Sequence, residues 1–401
     1  MRKLTLKILA FILINTLFPL KLSAELAQLT ALQIPSTPVD AAHGLNIKVS
    51  VGGTFIFQGT SKDNVGEPDD GLYTAVYVFD LKLEKALENN AKVVACFKGG
   101  RGDGLSQNVR TYANINAVSD PTLNGELELA KVTQLYYQQL CLNNKLTVSF
   151  GKLDFTTYFT GNKYSKDKNA QFITSIFIGD KIIEAPPQRI ALNLCYALSD
   201  KVDLSYGYYT TKVEYIDGDG VNAFQVSYKP SKKGNYKLYI WRNNSIHYSC
   251  KNLNKKSGTY GLGISGDHEV CKNIGIFGRV SFKDPTVATV KKSTAIVQIG
   301  DIDIKPPLSW DVGMQIDGSL WSRESDALGF AVGQMYGSSD YKVKPGYKNG
   351  SETEFELYYR VSVNKHLGLT PAIQYFIQPR GGNVENTNNV FVIGIRTRFD
   401  F

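Results

Sequence analysis

The feature that most constrains the fold is an alternation of apolar and polar residues that recurs from about residue 45 to the C-terminus. Alternation with a period of two is typical of β-strands that have one apolar face. The last stretch is the clearest, because an apolar set interrupted only by Thr397 occupies one face: Phe391, Ile393, Ile395, Phe399 and Phe401. No long apolar run occurs beyond the N-terminal region, which excludes a bundle of membrane helices but not a barrel, since only alternate residues of barrel strands meet lipid.

The alternation predicts about sixteen strands, an even number, as a closed antiparallel transmembrane β-barrel of a single bacterial chain requires. A further segment, 294–302, also reads as a strand and would make the number odd. The predicted strands are 45–59, 71–84, 91–99, 126–141, 145–154, 188–197, 201–211, 221–229, 235–243, 258–266, 273–282, 308–320, 326–336, 352–363, 367–378 and 389–401.

The connections between these strands alternate in length, and this supports a barrel independently of the strand count. Barrels of this kind have short periplasmic turns and longer external loops. The predicted turns are 88–91, 142–144, 198–200, 230–234, 267–272, 321–325 and 364–366. The predicted external loops are mostly longer, at 60–70, 100–125, 155–187, 212–220, 244–257, 283–307, 337–351 and 379–388.

The N-terminal segment 1–24 has the layout of an export signal. Arg2, Lys3 and Lys7 precede a short apolar run, and Ala24 closes a small-residue cleavage site. The run is shorter than the roughly 20 residues that a membrane helix needs. We therefore predict a signal peptide over 1–24, a periplasmic lead-in over 25–44 and a transmembrane barrel over 45–401.

Composition argues against several other classes of protein. The five cysteines are scattered without metal-ligand spacing, so neither a disulfide framework nor a metal site is predicted. The net charge of +8 contains no concentrated basic tract, and nucleic acid is therefore not indicated as a partner. No HExxH or GxSxG motif occurs, so no catalytic residue, cofactor or enzyme activity is predicted. A barrel lipase built from dispersed Ser, His and Asp residues stays open as an alternative.

The long loop 155–187 and the inward-facing charges are the candidate functional residues. A compact loop of this length usually has a functional reason, and in porin-type barrels it folds into the lumen and narrows it. Lys48, Asp80 and Lys82 face the lumen by alternation. The candidate pore-lining residues are Lys152, Asp154, Arg189, Arg279, Glu354, Glu356, Arg360, Arg396 and Arg398. Charged and polar side chains of this kind can hydrogen-bond sugar hydroxyls, and a pore lined by arginine attracts anions. The alternative is that these side chains only keep the inner wall hydrated or form ion pairs across neighbouring strands.

Four segments together resemble the OprB family of carbohydrate-selective porins over nearly the whole mature chain. They are residues 134–139 with 146–154, then Phe159 with Gln171 and Phe172, then 309–310 with 322–326 and 328–329, and last 354–359 with 369–375, 378–379 and 394–401. The resemblance implies a sixteen-stranded outer-membrane barrel that passes small sugars by passive diffusion. It also implies that Lys152, Asp154 and Arg189 lie near the constriction, and that Phe401 is read by the barrel-assembly machinery.

The leading hypothesis is therefore an exported outer-membrane porin of a Gram-negative-type bacterium, with small sugars and outer-membrane lipid as partners. A general or anion-preferring porin is the alternative within transport, motivated by the lumen arginines. A barrel enzyme such as a lipase, or more remotely a surface adhesin, is the alternative from another class. A homotrimer is common among porins, and no feature of the sequence decides it.

Overall fold

A computed structural model of the chain describes residues 46–61, 71–102, 104–118, 128–184, 188–211, 218–290, 302–303, 306–340, 346–384 and 389–401. Within these residues the chain is almost entirely strand. The strands are β1 (Ile47–Thr60), β2 (Leu72–Leu87), β3 (Ala91–Arg101), β4 (Glu128–Cys141), β5 (Leu146–Leu153), β6 (Arg189–Ser199), β7 (Val202–Thr210), β8 (Gly220–Ser231), β9 (Gly234–Ser249), β10 (Lys255–Cys271), β11 (Ile274–Lys283), β12 (Val287–Val290), β13 (Ile302–Asp303), β14 (Leu308–Asp317), β15 (Ala327–Tyr336), β16 (Ser351–Ser362), β17 (Leu367–Ile377) and β18 (Val390–Asp400).

The described helices are short. One α-helical turn, α1, spans Phe155–Tyr158, and single 3₁₀ turns lie at Gly104–Gln107, Ser175–Phe177, Gly318–Trp321 and Pro379–Gly382. None of the helices in the described part of the chain has the length and hydropathy needed to span a bilayer.

The strands close into a ring because the last strand pairs with the first. β18 runs antiparallel to β1, with Arg398 opposite Thr54 and Arg396 opposite Ile56. Beyond β18, the backbone of Phe401 exchanges two hydrogen bonds with that of Val51. Every hydrogen-bonding edge of the ring is thus satisfied, as a hydrocarbon environment requires.

Sixteen strands form this wall, and the two remaining described strands lie outside the ring. β11 pairs directly with β14, while β12 pairs with the external end of β9 and with β13. The prediction of a closed sixteen-stranded antiparallel barrel is confirmed. Of the segment 294–302, residues 294–301 lie outside the described residues, and the short strand that contains Ile302 does not join the wall.

The alternation of the sequence becomes two faces of the wall. On β18 the outward face carries Phe391, Ile393 and Phe399, which are exposed, whereas Val392 and Arg396 on the inward face are buried. Because lipid lies outside the ring, the exposed apolar side chains need no protein partner. The inward-facing side chains of the wall are buried because loops occupy part of the lumen.

The connections alternate in length as predicted, with one difference. Loop 244–257 was expected to be long, but β9 extends to Ser249 and β10 begins at Lys255, so only a five-residue turn separates them. The strand ends were not predicted because these residues are mostly polar and show no apolar alternation. A β-bulge between Ser257 and Thr259 also shifts the alternation by one residue. Gly258 occupies this bulge with φ of +83°, a conformation that glycine adopts without strain.

The periplasmic turn before β15 is held by one buried carboxylate, that of Asp326. Its oxygens accept hydrogen bonds from the Arg323 guanidinium, the Tyr359 hydroxyl (2.7 Å) and the Ser362 backbone N–H (2.9 Å). These contacts, led by the Arg323 hydrogen bond, lower the pKa of Asp326 to about 2 although burial raises it. The turn is thereby attached to the end of β16.

We expect Asp326→Asn to destabilise this turn by about 2 kcal/mol, because the amide leaves one hydrogen-bond donor of the turn without an acceptor. The pKa of Asp326 is lowered in the folded state from its ordinary value of 3.8. The stability that the carboxylate contributes is therefore complete above pH 3.8 and is lost as the pH falls towards 2. Limited proteolysis of this turn in detergent, from pH 7 to pH 2, measures both effects. Glu324→Gln in the same turn is the control, and equal proteolysis of the two variants would contradict the assignment.

The predictions of a signal peptide over 1–24 and a lead-in over 25–44 lie outside the described residues and stay predictions. The described chain contains the five cysteines as free thiols.

Candidate functional site

Residues 154–188 connect β5 to β6, and we call this connection the constriction loop. Its residues 154–184 fold against inward-facing side chains of the wall. It begins with Asp154, whose carboxylate accepts hydrogen bonds from the backbone N–H of Thr156 (3.0 Å) and from its hydroxyl (2.7 Å). This is an N-cap, and it starts the single turn α1 directly after the strand. The chain therefore turns at the end of β5 instead of continuing outward as a hairpin.

The N-terminal arm of the constriction loop, residues 155–165, packs on the inner face of neighbouring strands through aromatic rings. Phe155 and Phe159 stack with 4.7 Å between ring centroids, and both meet the buried ring of Tyr209. Phe159 lies so close to Gly207 that a Cβ at that position would be 2.7 Å from the ring. A larger residue at Gly207 would displace the arm, so the glycine serves as its docking position.

The middle of the loop is held on one side by a buried carboxylate. Glu356 of β16 accepts the backbone N–H of Ile173 at 2.5 Å and that of Thr174 at 2.7 Å. The neighbouring Gln374 donates its amide to the Thr174 hydroxyl. Glu356 is only 1% exposed, so its charge is stabilised by the two N–H groups and not by water.

On the other side, the middle of the loop is held by a buried guanidinium. Arg396 of β18, which is 0% exposed, donates to the carbonyl oxygen of Gln171 at 2.6 Å and to that of Lys168 at 3.1 Å. The loop thus presents its carbonyls to a cation and its N–H groups to an anion. We call Glu356 and Arg396 the charge clamp, since together they fix the backbone of the loop against β16 and β18.

A second buried ion pair supports the loop further along. Arg279 of β11 and Asp311 of β14 approach to 3.2 Å, and both side chains are 2% exposed. Arg279 also donates to the carbonyl oxygen of Ile176 (3.3 Å). The Ile176 side chain in turn covers Gly333 of β15, where a Cβ would be 2.8 Å away.

The C-terminal arm, residues 180–184, returns along β9 and β11. Asp180 accepts hydrogen bonds from the hydroxyls of Tyr239 (2.7 Å) and Ser281 (2.6 Å). Glu184 contacts His247 (2.7 Å) and Lys283 (2.5 Å). The described part of the loop is therefore attached to the inner wall near its beginning, in its middle and at Glu184.

The preceding external connection also folds inward. Its segment 104–118 pairs with the constriction loop through the backbone, from Ala117 N to Ile173 O (2.7 Å) and from Ser175 N to Asn114 O (2.9 Å). Glu352 of β16 accepts the backbone N–H of Tyr112 (2.9 Å). Two loops thus fill the side of the lumen next to β14–β18.

The lumen stays open beside β1–β4 and the periplasmic end of β18. A cavity of about 710 Å³ lies there and extends to the periplasmic end near His366 and Phe401. Its lining includes residues of β2–β4, the constriction loop and β18, namely Asp80, Lys82, Lys98, Gln134, Asp154, Lys168, Asn169 and Arg398. The cavity thus lies between the constriction loop and the wall strands β1–β4.

The nine candidate pore-lining residues occupy different environments. Asp154 and Arg398 line the cavity, and Arg398 is paired with Asp80 and Asp400. Arg189 lies opposite Leu153 at the start of β6 and donates to the Thr211 carbonyl (3.4 Å). Lys152 pairs with Leu135, on the face of β5 that also carries the exposed Phe150, and it donates to the Val132 carbonyl. The register thus places Lys152 on the outward side of the strand.

The other five candidates lie under the loops or near the periplasmic end. Glu356, Arg396 and Arg279 bind the constriction loop, as described above. Glu354 lies between Glu352 and Glu356 on β16, and neither of its carboxylate oxygens has a hydrogen-bond partner among the described residues. Arg360 stands opposite Ala327 near the periplasmic end of β16.

Several polar residues of the cavity were not among the sequence candidates, and they include Lys98, Gln134, Lys168 and Asn169. Alternation along β3 would have found Lys98, which stands opposite Asp80. Gln134 follows a bulge that breaks the alternation, and Lys168 and Asn169 lie in a loop without any periodic signal.

Comparison with known families decides which barrel this is. The sequence profile described as "Carbohydrate-selective porin, OprB family" matches residues 72–401, well over half of the chain. The chain belongs to the OprB family. This confirms the resemblance derived from the sequence and makes the protein an outer-membrane porin that solutes cross by passive diffusion.

Solved structures agree with an OprB fold. The high-pH structure of Pseudomonas putida OprB has a TM-score of 0.73 at 16% identity, with 90% of this chain and 95% of that chain covered. The low-pH structure of the same protein has a TM-score of 0.56 at 14% identity, covering 90% and 94%. An anion-selective porin from Comamonas acidovorans has a TM-score of 0.54 at 10% identity, covering 88% and 99%. No curated protein sequence matches the chain significantly.

Proposed function

We propose that this OprB family member passes small sugars through the cavity between the constriction loop and the wall strands β1–β4. The observation that carries the proposal is the cavity that the constriction loop borders, with Asp80, Lys98 and Lys168 in its lining. Carboxylates, amides and cationic groups along this path offer donors and acceptors to sugar hydroxyls. Because each contact replaces only part of the hydration shell, solute binds weakly and leaves readily.

The path contains both signs of charge, which favours neutral, hydrogen-bonding solutes. Arg398 is paired with Asp80 and Asp400, and Lys82 is 3.0 Å from Glu84. Lys98 and Lys168 add positive charge to the same cavity, and they are the observation that supports an anion-preferring porin as the second candidate.

A liposome-swelling series tests the proposed function. We expect pentoses and hexoses to enter several times faster than disaccharides, because the constriction loop reduces the cross-section available to solute. Reversal potentials in planar bilayers under a salt gradient provide the control for charge. Swelling rates that do not depend on sugar size, together with a strong preference for anions, would contradict the sugar proposal and favour the anion-preferring porin.

The remaining assignments are proposals of the same kind. We infer that residues 1–24 are cleaved on export and that Phe401 is recognised by the barrel-assembly machinery, as in the family resemblance. A homotrimer is open to test by chemical cross-linking in the membrane. The lipase alternative predicts hydrolysis of phospholipid by the purified protein, lost on replacing one serine, and we expect no such activity from a passive channel.

A further inference from the structure

The short periplasmic turns between β4 and β11 form a continuous row along the edge of the barrel. A backbone hydrogen bond joins each hairpin to the next one. These bonds run from Ala197 N to Lys145 O (2.8 Å), from Lys229 N to Lys201 O (2.7 Å) and from Glu269 N to Lys233 O (2.7 Å). Successive turns lie two strand spacings apart, roughly 10 Å, so the row has a fixed order and spacing.

Exposed lysines lie in every turn of this row, and we call them the lysine rim. They are Lys145, Lys201, Lys232, Lys233 and Lys272. The same turns, residues 142–145, 199–201, 231–233 and 271–273, contain a single acidic residue, Asp200. Lys229 lies beside the row but is paired with Asp203, so it is not counted here. The row therefore has a surplus of positive charge.

The rest of the same end of the barrel has a different balance of charge. Its described charged residues include Glu88, Arg323, Glu324, Asp326, Lys365, Arg398 and Asp400. Two ion pairs neutralise part of this set, since Arg323 contacts Asp326 and Arg398 contacts Asp400. Positive charge is thus concentrated on β4–β11, whereas lysines that served only solubility could be spread around the whole edge.

Exposed apolar side chains accompany the lysines. Leu142, Leu198 and Val270 lie in or beside the turns of the row, and each is more than half exposed. Tyr228 and Tyr236, which pair across β8 and β9 next to the row, are exposed as well. Tyrosine is enriched where a membrane meets water. The apolar outer surface of the barrel therefore ends at this row, and the lysines lie at the level of the lipid headgroups.

The spacing of the lysines favours a lipid surface over a small soluble anion. A small anion is held by several donors that converge on it. The lysines of the rim lie in four separate turns, whereas a bilayer offers phosphate groups all along its surface. The long alkyl stem of lysine can also lie on apolar surface while its ammonium group reaches a phosphate.

We propose that the lysine rim binds the anionic phospholipid headgroups of the periplasmic leaflet of the outer membrane. The opposite charges attract, and the exposed apolar side chains of the same turns continue the surface that already contacts lipid. A lysine near an anionic membrane surface raises the binding constant by roughly a factor of five. This surface is separate from the solute path, so the inference does not depend on which solute the channel passes.

Native mass spectrometry of the full-length protein tests this inference, with phosphatidylglycerol and phosphatidylethanolamine titrated separately into the detergent solution. We expect the wild-type protein to bind phosphatidylglycerol about fivefold more tightly than phosphatidylethanolamine. A variant with glutamine at Lys201, Lys232, Lys233 and Lys272 should lower this ratio towards one. Arginine at the same four positions should keep the wild-type ratio, because arginine retains the charge.

A matched control removes four lysines from other strands of the barrel. Glutamine at Lys48, Lys82, Lys92 and Lys365 changes the net charge by the same amount and should keep the wild-type ratio. Equal ratios in the two glutamine variants would overturn the inference, because net charge alone would then explain the binding.

Two soluble competitors separate the lipid from other acidic partners. Glycerol 3-phosphate and polyglutamate, each at the concentration of the lipid, should not displace phosphatidylglycerol from the wild-type protein. Displacement by glycerol 3-phosphate would overturn the inference and indicate a site for free phosphate. Displacement by polyglutamate, without any preference between the two lipids, would overturn it in favour of an acidic protein partner.

Discussion

Replacing Glu356 with glutamine is expected to convert a steady channel into a noisy one with lower mean conductance and slower sugar uptake. The carboxylate of Glu356 accepts the N–H groups of Ile173 and Thr174 with both of its oxygens. Glutamine has one carbonyl oxygen, so its NH₂ group would face one of the two N–H groups. A buried donor without an acceptor costs about 1–3 kcal/mol, which shifts the docking equilibrium of the loop by one to two powers of ten.

The direction of the effect follows from the position of the loop. The charge clamp holds the middle of the loop against β16 and β18, and the same part of the loop borders the cavity at Lys168 and Asn169. A released segment can therefore enter the adjoining cavity, and we expect it to obstruct the solute path part of the time. Single-channel current, its variance and swelling rates with a hexose measure the change.

The chain offers a matched control two residues away on the same face. Glu354 is as deeply buried as Glu356, at 0% exposure, but its carboxylate oxygens bind neither loop. Glu354→Gln therefore changes a buried carboxyl group that holds neither loop, and it should leave the current steady. If the two variants behaved alike, the effect would come from any change to a buried carboxyl group on β16, and the charge clamp would be refuted.

The barrel could be predicted from the sequence because its physical basis is local. A strand that separates lipid from water alternates at every second residue, so Phe391, Ile393 and Phe399 reveal both the strand and its outward face. The connections were predictable for the same reason, since turns such as Asn89-Asn90, with φ of 59° and 58°, need residues that tolerate the left-handed conformation. The prediction failed locally where β9 and β10 continue through polar residues to Ser249 and from Lys255.

The arrangement inside the barrel could not be predicted in this way. Alternation indicates that Glu356 and Arg396 face inward, but not that a loop covers them. Their partners are 183 and 225 residues distant in the sequence, at Ile173 and Gln171. Such contacts depend on the closure of the ring, which brings β16 and β18 beside a loop that leaves β5. A residue can thus belong to the functional region while it holds the loop and never meets solute.

Deleting the constriction loop is expected to give the largest change of all, a wide channel that no longer distinguishes sugars by size. Leu153 and Arg189 are direct partners across β5 and β6, so an Asn-Gly turn can replace residues 154–188 and close the hairpin. The sixteen wall strands and the closure of β18 on β1 do not use the loop, so the barrel should still form. The uncovered Glu356, Arg396 and Arg279 would be hydrated by water in the lumen, as charges in a wide barrel are.

Without the loop, the side chains that now occupy part of the lumen are gone and the cross-section open to ions is larger. Conductance should therefore rise on the order of threefold, towards that of an open sixteen-stranded barrel. Disaccharides should then enter liposomes at nearly the rate of hexoses. Lys168→Gln, which removes one charge from the cavity while the loop stays in place, should retain the wild-type size limit. If the deletion left conductance and the size limit unchanged, the narrowest part of the path would lie at segment 104–118, which also folds into the lumen and stays in this variant.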